Sequence, residues 1–219
     1  MQASASTARY SFGEEIAHTI THGIGALLSI AGLAVLVSFS ALNGDAWHIT
    51  SSSIYGATLI LLYTASALYH GIPLPSAKRI LRQIDHAAIF ILIAGTYTPF
   101  TLVNLRGSWG WTLFGLVWGI AIAGVVLELV MRKRYRRLSI GLYLGLGWLV
   151  VIAIEPMLAR VETGGLVLLL AGGLCYSLGV IFYVWRSLAY HHAVWHLFVL
   201  VGSIFHFFSV LFYVIPEGT

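Results

Sequence analysis

Seven long apolar runs alternate with short polar breaks along this chain. The runs cover residues 16–42, 49–71, 84–105, 109–131, 138–158, 165–186 and 192–215. A helix needs about 20 predominantly apolar residues to cross the hydrocarbon of a bilayer, and each run supplies them. The breaks carry turn or charge signals: Asn43-Gly44-Asp45, Pro73-Leu74-Pro75, Arg106-Gly107, the basic stretch from Arg132 to Arg137, residues 160–164 and residues 187–191. Connections this short join antiparallel neighbours. The pattern therefore predicts an all-α membrane protein, a seven-helix up-and-down bundle that takes in residues 1–219 as one integral membrane domain, with residues 1–13 as a short tail.

Composition supports that class. The chain is 59% hydrophobic and only 9% charged, with a mean hydropathy of +0.90, whereas soluble domains carry roughly 25% charged residues. Too little charge is present to cover a water-facing surface. The first 13 residues are polar and show no apolar core before a cleavage site, so no signal peptide is expected. A single cysteine, Cys175, lies within an apolar run and reads as a small core residue.

The basic residues orient the bundle. Arg9, Lys78, Arg79, Arg82, the five basic residues between Arg132 and Arg137, and Arg186 share one side, ten in all, against Arg106 and Arg160 on the other. This bias places the N-terminus in the cytoplasm and the C-terminus outside a plasma or inner membrane. It also disposes of nucleic acid as a partner, because the basic run is a six-residue loop between two spans. Glycine pairs Gly23–Gly25, Gly115–Gly119, Gly141–Gly145 and Gly172–Gly179 are expected to let helices approach closely. Trp109, Trp111, Trp148, Trp185 and Trp195 fall mostly near span ends, as an interfacial belt does.

The orientation gathers the ionisable residues at one depth. Ser66 and His70 close the second span, Asp85 and His86 open the third, His192 and His196 open the last, and Glu15, His18 and His22 begin the first. All fall at the cytoplasmic end. Ionisable groups are costly in a bilayer, so such a convergence is a site by default. His192 and His196 are spaced i, i+4 on one helical face, about 6 Å apart at Cβ, a suitable bite for one metal ion. His70 offers a third nitrogen, and three protein ligands plus water is the open coordination of a catalytic zinc. Asp85 is placed to bind the metal or act as general base, and Ser66, one turn before His70, to hold the water or a substrate oxygen. The competing account is a pair of interfacial histidines with no metal.

The remaining polar residues divide less sharply. Glu15, His18 and His22 lie at i, i+3 and i+7 on one face, an outer shell to the metal or a helix–helix hydrogen-bond cluster. His191 faces headgroups or a neighbour, His86 packs off the Asp85 face, and His206 is either a buried hydrogen-bonded residue or part of a cavity wall. Glu128 and Arg132 are spaced as a stabilising pair, and Glu155-Pro156 is expected to mark a kink or an interface position.

The stretch from Glu15 to Gly23, the Ser66-x-x-x-His70 pair, the segment from Asp85 to Pro99 and His192-x-x-x-His196 occur in order, and together they resemble the bacterial hemolysin III family, relatives of the progestin and adiponectin receptors. The resemblance covers almost the whole chain. It implies seven spans, the N-terminus inside, and zinc near the cytoplasmic face held by His70, His192 and His196, with Asp85 and Ser66 close to the water on the metal. His18 departs from the family pattern, which more often has asparagine. Receptor relatives and the alkaline ceramidases imply hydrolysis of a lipid amide bond; the family name implies cytolysis. Three functions follow as expectations: a zinc-dependent hydrolase of a ceramide-like membrane lipid, a non-enzymatic regulator or sensor of membrane lipid state, and a cytolytic protein with structural zinc.

Overall fold

A computed structural model describes residues 10–131 and 136–215, and among them all regular structure is helical. The order is α1 (Phe12–Asn43), α2 (Ala46–Gly71), α3 (Pro75–Pro99), a π-helical turn (Phe100–Asn104), α4 (Ser108–Met131), α5 (Arg136–Gly147), a 3-10 turn (Trp148–Ala153), α6 (Ile154–Arg160), α7 (Thr163–Val184) and α8 (His191–Tyr213). Among the described residues seven helical stretches are long and apolar enough to cross a membrane, the fifth running through α5, the 3-10 turn and α6. Arg9 and residues 132–135, which carry much of the expected charge bias, lie outside the described residues.

Local chemistry sets the helix starts. Ser11 and Glu14 form a reciprocal capping box at α1: the Ser11 hydroxyl accepts from the Glu14 N–H (3.3 Å), and the Ser11 N–H donates to Glu14 Oε2 (2.8 Å). Asp45 caps α2 by accepting from the N–H groups of Trp47 (2.8 Å) and His48 (3.2 Å). α3 starts at Pro75, nine residues before the third apolar run, because Pro75 is preset for the first helical turn and a charged turn continues the helix beyond the apolar segment.

The fifth span breaks at Trp148–Ala153, upstream of the expected kink at Glu155-Pro156. The proline explains the offset: it lacks an N–H and clashes with the carbonyl four residues earlier, so the disturbance falls on the preceding turn. Backbone groups freed within a bilayer need new partners. Tyr97 of α3 supplies them, its hydroxyl donating to the Gly147 carbonyl (2.8 Å) and accepting from the Val150 N–H (2.9 Å).

α1 packs on α2 and α8, α2 on α3, α3 on α4, and α7 on α8, while α5 touches its neighbours lightly. The close approaches use glycine, but only some of those expected. A Cβ on Gly25 would stand 2.5 Å from the Tyr63 ring, and Gly95, Gly124, Gly172 and Gly179 back onto Thr58, Phe90, His206 and Trp195 in the same way. Gly23, Gly115, Gly119, Gly141 and Gly145 have nothing within 4 Å of such a Cβ. Spacing alone does not tell which face of a helix meets a partner, and these five face outward. Between α3, α5, α7 and α8 the light packing leaves a cavity of about 430 Å³.

Candidate metal centre

Four helix ends meet at the N-terminal end of the bundle. His18 and His22 come from the second and third turns of α1, His70 from the last turn of α2, and His192 and His196 from the first two turns of α8. Asp85 is on the third turn of α3. All six are buried, His18 completely. The start of α8 is set by a strained residue: Tyr190 has φ 56°, left-handed for a bulky side chain, and its N–H donates to Glu14 Oε1 (3.2 Å). Glu14 thus caps α1 and also pins the turn that presents His192.

Ligand atoms of His70, His192 and His196 lie within 4.8 Å of one another, so this group could hold a metal ion. A second group that could do so, Glu15, His18 and His70, shares His70. The donor set fits a metal: among the described residues the buried Nε2 atoms of His18 and His70 have no hydrogen-bond partner, nor has either nitrogen of His22. Buried polar atoms without partners cost free energy, and a cation satisfies imidazole nitrogens directly.

Outer contacts hold the rings. Glu15 Oε2 accepts from His70 Nδ1 at 2.6 Å, and its other oxygen pairs with Lys78 Nζ at 2.7 Å. Lys78 also donates to the His70 carbonyl (3.3 Å). Thr21 Oγ1 lies 3.4 Å from His196 Nδ1. The His22 ring stacks flat on His196, with centroids 3.5 Å apart. Tyr10 closes the cluster on the N-terminal side, stacked on His192 (5.1 Å) and edge-on to His18 (4.8 Å).

The cavity runs from this cluster into the bundle. His22, Ser66, Asp85, His192 and His196 line its polar end; Leu105, Leu113 and Met157 line the far end. His70, His18 and Glu15 stand behind that wall rather than in it.

The remaining polar residues take roles that sequence reading had assigned only in part. His86 lines the cavity and bonds Glu128 (3.1 Å), which also accepts from Ser139 (3.1 Å), so within the described residues Glu128 is tied to α3 and α5. Its expected partner Arg132 lies outside the described residues. His191 faces a neighbour, donating to the Phe182 carbonyl (2.9 Å). His206 is both hydrogen-bonded, to the Leu169 carbonyl (3.1 Å), and part of the cavity wall. Tyr10 and Lys78 were missed as parts of the cluster. Tyr10 sits outside the apolar runs, and Lys78 reads as one more topology charge; the lone Glu15 among apolar residues was the available signal for a basic partner.

Fold and site together define a multi-pass membrane protein with a buried polyhistidine cluster at one end of a seven-helix bundle. A family model described as "Haemolysin-III related" matches residues 10–207, and the chain belongs to that family. It is 50% identical over 204 residues to "Hemolysin-3 homolog" of Bacillus subtilis (strain 168), covering 93% of this chain and 96% of the relative. It is 46% identical to "Hemolysin-3" of Bacillus cereus, covering 94% of each. Similarity extends at 27% identity to the human "Monocyte to macrophage differentiation factor", over 94% of this chain and 87% of that protein. No solved structure matches the chain. The bacterial relatives and the seven spans make this a multi-pass bacterial membrane protein.

Proposed function

We propose that this protein is a zinc-dependent hydrolase of a membrane lipid, cleaving an amide bond in a ceramide-like substrate at the cytoplasmic face. The observation that carries the reading is the cavity, which joins a histidine and carboxylate end to an apolar interior lined as far as Leu105, Leu113 and Met157. The site residues are His70, His192 and His196 as metal ligands, Asp85 and Ser66 at the reacting groups, and Glu15, His18 and His22 around the ligands. Zinc bound there supplies Lewis acidity toward a carbonyl oxygen and lowers the pKa of water.

The chain's own residues do the rest. Asp85, a buried carboxylate on the cavity wall, takes a proton from the attacking water and passes it to the leaving amine. Ser66 donates a hydrogen bond to a substrate oxygen on the same wall. Glu15 orients His70 through its Nδ1. Leu105, Leu113 and Met157 hold the acyl tail and keep water from the far end. Residues 1–219 form one membrane unit in this reading, with the N-terminus in the cytoplasm. Water consumed and two products released, a fatty acid and an amine, balance the reaction.

The test is metal analysis and turnover in parallel. Purified protein should hold zinc, His70→Ala, His192→Ala and His196→Ala should lose it, and the wild type should hydrolyse a ceramide in a panel of lipids. Zinc-loaded protein without His192-dependent turnover across that panel overturns the hydrolase. It would leave a lipid-state regulator in which the metal couples α2, α3 and α8. A cytolytic reading is favoured by the name of the Bacillus cereus relative; red cells that survive exposure to the purified protein overturn it.

A further inference from the structure

The four rings of His18, His70, His192 and His196 form a nearly regular tetrahedron. Their six centroid separations are 4.5 Å (His18–His70), 4.8 Å (His18–His192), 5.3 Å (His18–His196), 5.3 Å (His70–His192), 5.2 Å (His70–His196) and 4.6 Å (His192–His196). A zinc–nitrogen bond of about 2.0–2.1 Å with tetrahedral angles sets imidazole centroids roughly 5 Å apart. The observed edges bracket that value on every side of the figure.

His18 and His70 both turn Nδ1 toward Glu15, and the two Nδ1 atoms lie 3.3 Å apart. Glu15 Oε2 is 2.6 Å from His70 Nδ1 and 3.9 Å from His18 Nδ1. On both residues the opposite nitrogen, Nε2, is buried without a hydrogen-bond partner among the described residues. A ligating histidine directs one nitrogen to the metal and the other N–H to a carboxylate. One carboxylate therefore stands beside both Nδ1 atoms, bonded to that of His70, and His18 is completely buried.

We propose that His18 is a fourth imidazole ligand, through Nε2, of the metal held by His70, His192 and His196 in the resting protein. The alternative use of the same atoms, a second cation among Glu15 Oε2 and the two Nδ1 atoms, competes with Lys78, whose ammonium already sits on Glu15 Oε1 at 2.7 Å. Four protein ligands close the coordination shell, as in structural zinc sites. His18 must then swing aside before the site can act on a substrate, which makes its ring a cap on the activity. The proposal rests on the metal reading of the other three histidines, and the experiment separates the two.

Zinc-edge X-ray absorption on the purified full-length protein counts imidazoles directly. The expected wild-type result is four nitrogen ligands, all imidazole, and one zinc per chain. His18→Asn keeps an amide group opposite Glu15 but removes Nε2; it should show three imidazoles, one oxygen, and zinc affinity weakened by at least roughly 10-fold, the low end for loss of an outer partner. Three imidazoles and an oxygen in the wild type overturn the proposal while leaving the three-histidine site intact, even if the variant fails to fold. An unchanged imidazole count in the variant also overturns it. Two metals per chain overturn it in favour of the second cation, and no metal at all defeats the metal reading itself.

Discussion

Glu15 Oε2 meets His70 Nδ1 at 2.6 Å, joining the first turn of α1 to the last turn of α2. This contact fixes which nitrogen of His70 is left for a metal. Glu15→Gln removes the charge that holds the ring and is expected to weaken zinc binding about 10- to 100-fold, the usual effect of an outer carboxylate. Competition against a chelator of known affinity reads the change.

Lys78→Ala removes the ammonium from the other oxygen of the same carboxylate. Lys78 is part-exposed, so its effect should be smaller than that of Glu15→Gln and should shrink as salt is raised. Chelator titrations at low and high ionic strength compare the two variants.

Glycine substitutions should separate sharply by position. Gly95→Val drives a side chain into Thr58 and is expected to cost about 1–3 kcal/mol. Gly115→Ala points into open space and should stay within about 0.5 kcal/mol of wild type. Thermal unfolding in detergent measures both.

Asp45→Ala should cost about 1 kcal/mol by uncapping α2, because two backbone N–H groups lose their acceptor. Asp45→Asn retains an acceptor oxygen and should recover most of the loss. The same unfolding assay applies, with zinc content unchanged because this cap is at the opposite end of α2 from His70.

Leu113→Trp fills the far end of the cavity. It should reduce turnover of long-chain amides more than short-chain ones while metal content stays at the wild-type level. Equal loss across chain lengths would argue against acyl binding in this cavity.

Much of this protein follows from the order of its residues. Runs of about 20 apolar residues leave the backbone no choice but helix in a bilayer, and seven of them with short breaks dictate antiparallel neighbours. The i, i+4 spacing of His192 and His196 places them on one face whatever they pack against. Helical periodicity is local, so these features survive any tertiary arrangement.

Tertiary structure decided what lies between helices. Which glycines are interfacial depends on how each helix is rotated, so Gly95 and Gly124, in no expected pair, make close approaches while Gly115 and Gly141 do not. Glu128 exchanged an expected local partner for His86 and Ser139 across helices. His18 read as outer support, yet the crossing of α1 with α2 and α8 sets its ring among those of His70, His192 and His196. Distances between residues 52 to 178 positions apart are set by packing angles between helices, and no spacing along a single helix encodes them.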